Sequence, residues 1–208
     1  MVIYLASGNR HKKRELQAAF LGYELKTPLE AGIASFEADE CGVTFMENSL
    51  IKARALRLLL NKAGLEGPVL ADDSGLCVDA LGGRPGIYSA RYRGKTGNTG
   101  PAISAGEQNA LLLDEVNALA GAKGRSCRFV CAMTLLWEAE RFCTAQETLE
   151  GELVITMDAA QGSLGFGYDP VVFLPERGCT VAELSEDEKN RISHRGKAAR
   201  LIYSCLTR

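Results

Sequence analysis

Side chains able to do chemistry gather in a few short stretches of this chain. The first is Asp72-Asp73-Ser74-Gly75, which follows the apolar run Val69–Ala71. A carboxylate at a strand end can hold Mg²⁺ or take a proton from water, and magnesium sites commonly use one or two carboxylates plus substrate phosphates. Neighbouring side chains of a strand point to opposite faces, so only one of the two acids need face a cleft. The same four residues also suit an Asx-type turn. Glu40, at the end of Phe36-Glu37-Ala38-Asp39-Glu40, reads by itself as solvated loop and gains interest only as a second metal ligand beside Asp73. Lys52 follows Thr44 by eight residues, on the polar side or edge of a helix, where a lysine is ordinarily solvated.

A second group lies at the start of the chain. Ser7-Gly8-Asn9 followed by Lys12 supplies a small hydroxyl, a glycine, an amide and a lysine one turn later, which are the groups a triphosphate needs. Arg10 and His11 stand between them and are counted with the same group. No GxxxxGK[ST] loop occurs anywhere, so this is not a Walker A site, and a Ser/Asn-capped helix start is the plainer alternative. A third group is Phe166-Gly167-Tyr168-Asp169-Pro170. An aromatic beside glycine gives a flat surface on which a base can stack, and Asp169 adds an acceptor. Lys189, His194 and Arg195 add donors, which suit a keto oxygen at purine position 6 and leave an amino group there unpaired. The plainer readings are a tight turn into an edge strand for the first run and a helix start capped by Ser193 for the second.

These groups need elements to hold them. Val2–Ala6 reads as a strand, broken at Ser7-Gly8-Asn9 and followed by a helix with Leu16, Ala19 and Phe20 on one face. Thr44-Phe45-Met46-Glu47 fits a capping box, and the apolar spacing carries that helix to about Ala63. Val69–Ala71 is a short buried strand running into Asp72-Asp73-Ser74-Gly75, with a further apolar piece at Leu76–Val78. Gly82 to Gly106 is rich in glycine, proline and small polar residues and reads as loop. A helix spans about Glu107–Leu119, and Phe129–Trp137 with Arg141–Thr148 form an antiparallel hairpin. Short strands are expected near Leu153–Thr156 and Pro170–Phe173, and the C-terminal region is helical with a break near Ile192-Ser193. The mixture of βα units with a hairpin indicates an α/β protein with a mixed sheet.

Composition narrows the classes. The chain has 208 residues, 46% of them hydrophobic, enough for a substantial core. A formal charge of −2 argues against coating a nucleic acid polymer, which requires a basic stripe. No apolar stretch approaches the length that spans a bilayer, and the start lacks the pattern of a secretory signal. Seven cysteines without a CxxC pair read as reduced thiols of the cytoplasm, Cys127 and Cys131 lying in one strand-like run.

In order along the chain, these pieces resemble the inosine/xanthosine triphosphate pyrophosphatases, the Ham1-like or RdgB-like family, over nearly the full length. The matching stretches are Ala6–Asn9 with Lys12 and Glu15, Thr44–Ser49 with Lys52-Ala53, Ala71–Leu76 with Val78–Leu81, Pro85–Tyr92, Phe166–Pro170, and Ala182–Ser185 with Glu188–Asn190 and Ile192–Arg195. The resemblance implies one nucleoside triphosphate pyrophosphatase domain over 1–208: an elongated mixed sheet flanked by helices, in two lobes around a deep central cleft, usually as a homodimer. It implies Mg²⁺-dependent hydrolysis of ITP, dITP and XTP to the monophosphate and pyrophosphate. By position Asp73 would be the proton acceptor and, with Glu40, a metal ligand, with Asp72 in support. Ser7, Gly8, Asn9, Lys12, Lys52 and Ser74 would hold phosphates and sugar; Phe166, Gly167, Tyr168, Asp169, Lys189, His194 and Arg195 would hold the base. A Maf-like enzyme for modified pyrimidine triphosphates is the neighbouring alternative, against which the FGYD and SHR blocks speak. A nucleotide-binding regulator without turnover would be expected to lack the acids Glu40, Asp72 and Asp73, all present here. The glycine-rich stretch from Arg93 to Gly106 departs from the more acidic loop expected of the family, and Cys41 stands where a small polar residue is commoner.

Overall fold

A computed structural model describes residues 1–94, 103–119 and 124–206. Among these residues seven strands form one mixed sheet in the order β2-β1-β3-β4-β5-β6-β7. They are β1 (Val2–Leu5), β2 (Glu24–Lys26), β3 (Val69–Val78), β4 (Ser126–Glu138), β5 (Arg141–Leu153), β6 (Val172–Leu174) and β7 (Cys179–Thr180). β1 runs parallel to both β2 and β3, whereas β5, β6 and β7 pair antiparallel. Among the described residues five α-helices accompany them: α1 (Arg10–Ala19), α2 (Phe45–Lys62), α3 (Ala105–Asn117), α4 (Glu186–Ile192) and α5 (His194–Leu206). The α/β class and the mixed sheet are those expected from the sequence.

By contacts the chain divides into two compact units, Met1–Asp73 with Cys131–Glu147 and Asn190–Arg208, and Ser74–Val130 with Thr148–Lys189. In the first unit, strand alternation sorts the core onto two faces. Ile3 and Leu5 of β1 and Leu70 of β3 pack with Leu16 and Phe20 of α1 and Ala198, Ala199 and Ile202 of α5. Tyr4, Ala6, Val69 and Ala71 turn the other way, onto Ala53, Leu56 and Leu60 of α2. In the second unit, Glu115 of α3 binds Arg84 at 2.5 Å and accepts from the Tyr92 hydroxyl, fixing the segment between those residues.

Several local expectations change. β3 is one ten-residue strand that passes through Asp72-Asp73-Ser74-Gly75 without a turn. Turn-favouring residues are carried in a strand here because tertiary partners override propensity. Gly75 marks a close approach, since a Cβ there would lie 2.3 Å from the Gly86 carbonyl oxygen and 2.4 Å from Ser89 Oγ. The loop from Gly82 contains a 3₁₀ turn at Gly86–Arg91, and the part of the glycine-rich stretch over 95–102 lies outside the described residues. No separate strand forms at 153–156, because β5 itself extends to Leu153. Asp169–Val171 is a 3₁₀ turn ahead of β6. The two-residue turn Ala139–Glu140 joins β4 to its sheet neighbour β5, as the hairpin requires.

Candidate active site

The first unit brings three charged side chains of the triphosphate-and-metal group together. Lys52 Nζ lies 2.7 Å from Asp73 Oδ1 and 3.1 Å from Glu40 Oε2. Thr44 starts α2 through a capping box, so Lys52 emerges two turns along the helix. Asp73 follows Val69 and Ala71 on the α2 face of β3, which aims its carboxylate at that helix. Burial pushes the Asp73 carboxyl above its usual range, and the Lys52 ammonium opposes this without cancelling it. Burial works against the charge on Lys52, but Asp73, Asp72 and Glu40 more than restore it, and the ammonium is held in its charged form.

Asp72 points to the other face. Its Oδ2 lies 2.9 Å from Lys12 Nζ and 3.3 Å from Arg195 Nε, while Arg195 Nη1 reaches Glu15 Oε2 at 2.5 Å. Burial alone would raise the Asp72 carboxyl, but Lys12, Arg195 and Lys52 outweigh it and hold it well below the usual range. Asn9 caps α1, its Oδ1 accepting from the His11 and Lys12 amides at 2.9 and 3.2 Å, and Ser7 Oγ accepts from the Asn9 amide at 3.1 Å. The capped helix start and the exposed polar turn at Gly8, Asn9, Arg10 and His11 are therefore the same feature. A cap of this kind leaves amides that favour an anion.

In the second unit, Asp169 Oδ2 accepts from the Phe166 amide at 2.7 Å and from Lys189 Nζ at 2.8 Å. Lys189 also lies over the Phe166 ring, 5.0 Å from its centroid. Tyr168 donates its hydroxyl to the Ser89 carbonyl at 2.8 Å, and Asn109 Nδ2 donates to the Gly167 carbonyl at 3.1 Å. Asp169 thus orients the lysine and the aromatic turn, in place of standing as an open acceptor. Ser74, one residue beyond Asp73, is half-buried and counted with this unit. His194 and Arg195 open α5 in the first unit, both buried, and the acids named above hold Arg195 there.

Two residues of this chemistry have no role in the reading from sequence. Glu15 meets Arg195 across 180 positions, and nothing local announces that pairing. Asn48 is fully buried and donates to Asp73 Oδ2 at 3.3 Å. A polar residue among Phe45, Ala53, Leu56 and Leu60 on the buried stripe of α2 is the signal that could have found it. Among the described residues no group of three or more His, Cys, Asp or Glu could hold a metal ion.

The first unit thus holds a carboxylate pair facing one cation and a capped helix start with a lysine, and the second holds an aromatic turn braced by an ion pair. The chain belongs to the Ham1 family, whose sequence pattern it matches over residues 3–204. It is 48% identical over 198 residues to the dITP/XTP pyrophosphatase of Treponema denticola, covering 95% of this chain and 94% of that one. It is 43% identical to the dITP/XTP pyrophosphatase of Geobacillus kaustophilus, covering 94% and 89%. A HAM1 protein from Coxiella burnetii has a similar structure, with TM-score 0.82 at 35% identity over 100% of this chain and 98% of that one. The Ham1 protein of Staphylococcus aureus gives 0.79 at 34% identity, again over 100% and 98%.

Proposed function

We propose that this protein hydrolyses deaminated purine nucleoside triphosphates (ITP, dITP and XTP) to the monophosphate and pyrophosphate, clearing them from the nucleotide pool. It is a nucleoside triphosphate pyrophosphatase, acting on the α–β phosphoanhydride. The observation that carries the chemistry is the meeting of Glu40, Asp73 and Lys52 at one point, where two carboxylates already hold a cation. Hard oxygen donors of this kind fit Mg²⁺, and Glu40 and Asp73 are the residues that would hold it. When bound, the ion supplies charge neutralisation on the phosphates and lowers the pKa of the attacking water.

The chain's own residues do the rest. Asp73 orients the water and takes its proton as oxygen adds to the α-phosphorus and the bond to the bridging oxygen breaks. Lys12 and Lys52 stabilise the charge that gathers on departing pyrophosphate, with Ser7, Gly8, Asn9, Arg10, His11 and Ser74 as further contacts to phosphate and sugar. Phe166, Gly167 and Tyr168 offer the surface for the base, Asp169 holds Lys189 beside it, and Lys189, His194 and Arg195 supply donors that favour a keto group over an amino group. The functional domain of this proposal is the whole of 1–208, working as a homodimer in the cytoplasm; seven free thiols support a reducing compartment. Among the described residues no helix is long and apolar enough to cross a membrane.

Product analysis tests the proposal. With Mg²⁺ and ITP the purified protein is expected to yield IMP and pyrophosphate, and to turn over ITP and XTP far faster than ATP. Release of orthophosphate, or equal rates on the common nucleotides, would overturn it. Sedimentation of the same sample reports the dimer.

A further inference from the structure

The acids of the proposed metal pair lie far apart in sequence, Glu40 in a loop and Asp73 in the middle of β3. Their separation is set by whatever ties that loop to that strand. One side chain does both. Asn48 Oδ1 accepts from the Gly42 amide at 2.9 Å, two residues beyond Glu40, and Asn48 Nδ2 donates to Asp73 Oδ2 at 3.3 Å. Asn48 is 0% exposed, so neither bond is shared with bulk water. The loop is held against the start of α2 by two further amides, since Val43 and Thr44 donate to Glu47 Oε2 at 2.7 and 3.0 Å. Gly42 has to be glycine for the approach to be this close: a Cβ would lie 2.7 Å from Asn48 Oδ1 and 2.8 Å from Glu47 Cβ.

The geometry points to Asn48 as a positioning residue for the metal pair. Its amide locks one oxygen of Asp73, leaves Oδ1 turned to the cation now supplied by Lys52, and fixes the loop that carries Glu40 at the matching distance. An amide suits both tasks, because one end accepts and the other donates, and the donor end faces a carboxylate without adding charge. A carboxylate at position 48 would accept from Gly42 but repel Asp73; an aliphatic side chain would satisfy neither. Partners of this kind behind metal ligands set affinity by orienting them. This inference rests on the reading of Glu40 and Asp73 as metal ligands.

The test uses Mn²⁺ as the probe, with binding to the full-length, nucleotide-free protein followed by electron paramagnetic resonance. Asn48→Leu, which is nearly isosteric, is expected to weaken Mn²⁺ binding about 10- to 100-fold. Its kcat on ITP is expected to fall by a similar factor while KM moves by less than about threefold, the pattern of lost alignment at the reacting centre. A folded Asn48→Leu protein with wild-type Mn²⁺ affinity would overturn the assignment. If that variant does not fold, Gly42→Ala presses on the same bridge from the loop side and is expected to weaken Mn²⁺ binding in the same direction by less. Unchanged affinity there would overturn it equally. Asp73→Asn separates the two levels of the argument. If it too leaves Mn²⁺ affinity intact, the ligand reading itself fails; if it abolishes binding while Asn48→Leu and Gly42→Ala do not, only the positioning role fails.

Discussion

Asp72 and Asp73 are the same residue type, adjacent in one strand and both buried, yet the two faces of β3 treat them differently. On the face shared with α1 and α5, Asp72 is met by Lys12 and Arg195 and is held ionised far below the usual range. On the face shared with α2, Asp73 has one ammonium, an amide donor and a second carboxylate nearby, and burial lifts its pKa. The first arrangement is that of a permanent counter-charge. The second leaves a carboxylate whose ionised form is under-stabilised, which is what a proton acceptor or a metal ligand requires. Task is assigned here by face, not by residue type.

That contrast can be broken by substitution. The largest effect is expected from Asp73→Asn, which should lower kcat on ITP by about 100- to 10,000-fold while substrate binding stays measurable. A near-normal kcat would remove Asp73 from the role of base. The same variant also takes the nearest carboxylate from Lys52, but Lys52 keeps Glu40 and the raised native pKa of Asp73 works against its ionised form at neutral pH, so the metal-free variant should lose less stability than Asp72→Asn. Asp72→Asn leaves two buried cations short of their partner, at a cost of about 3–5 kcal/mol. The contribution of Asp72 is fully present above the ordinary carboxylate range and is lost only as pH falls through its depressed native value. Chemical denaturation of both variants at neutral and acid pH measures the difference, and equal destabilisation would dissolve the distinction.

The smallest effect sharpens the comparison through cysteine. Cys131 belongs to the core on the Asp72 face, and burial raises its thiol to about 12. Cys41 is exposed beside Glu40. Iodoacetamide at mildly alkaline pH should label Cys41 and spare Cys131 in the native protein, as read by peptide mass mapping. Comparable labelling of Cys131 would mean that its face opens in solution.

What could be read in advance followed the reach of each signal along the chain. Thr44 and Glu47 stand three residues apart and announce a helix start by themselves, and α2 begins there. The Ser104 and Glu107 box of α3 is equally local, and it starts that helix at Ala105, two residues ahead of the Glu107 expected. Asp72-Asp73-Ser74-Gly75 has residue types that favour a turn, whereas its extended conformation goes with the place of β3 between β1 and β4, strands distant in sequence. The resemblance puts Glu40, Asp73 and Lys52 around one bound triphosphate without pairing them, and periodicity alone leaves Lys52 as one more surface lysine. β2 and β7, of three and two residues, are too short to carry an alternating pattern. The pairing of Asp169 with Lys189 could not be anticipated from either stretch alone, because an acid in a tight turn looks the same whether or not a lysine reaches it.

The placement of two unlike tasks on successive residues of β3 has a consequence for how this gene can vary. Point changes at Val69, Leu70 or Ala71 alter packing by a methyl group or two and leave both acids where they are. Inserting one codon ahead of Asp72 would put it in the place of Asp73, opposite the lysine, and turn Asp73 to the other face; deleting one would put Asp73 opposite the arginine and turn Asp72 to the other face. Selection should therefore tolerate drift in the composition of this strand far more readily than any change in its length.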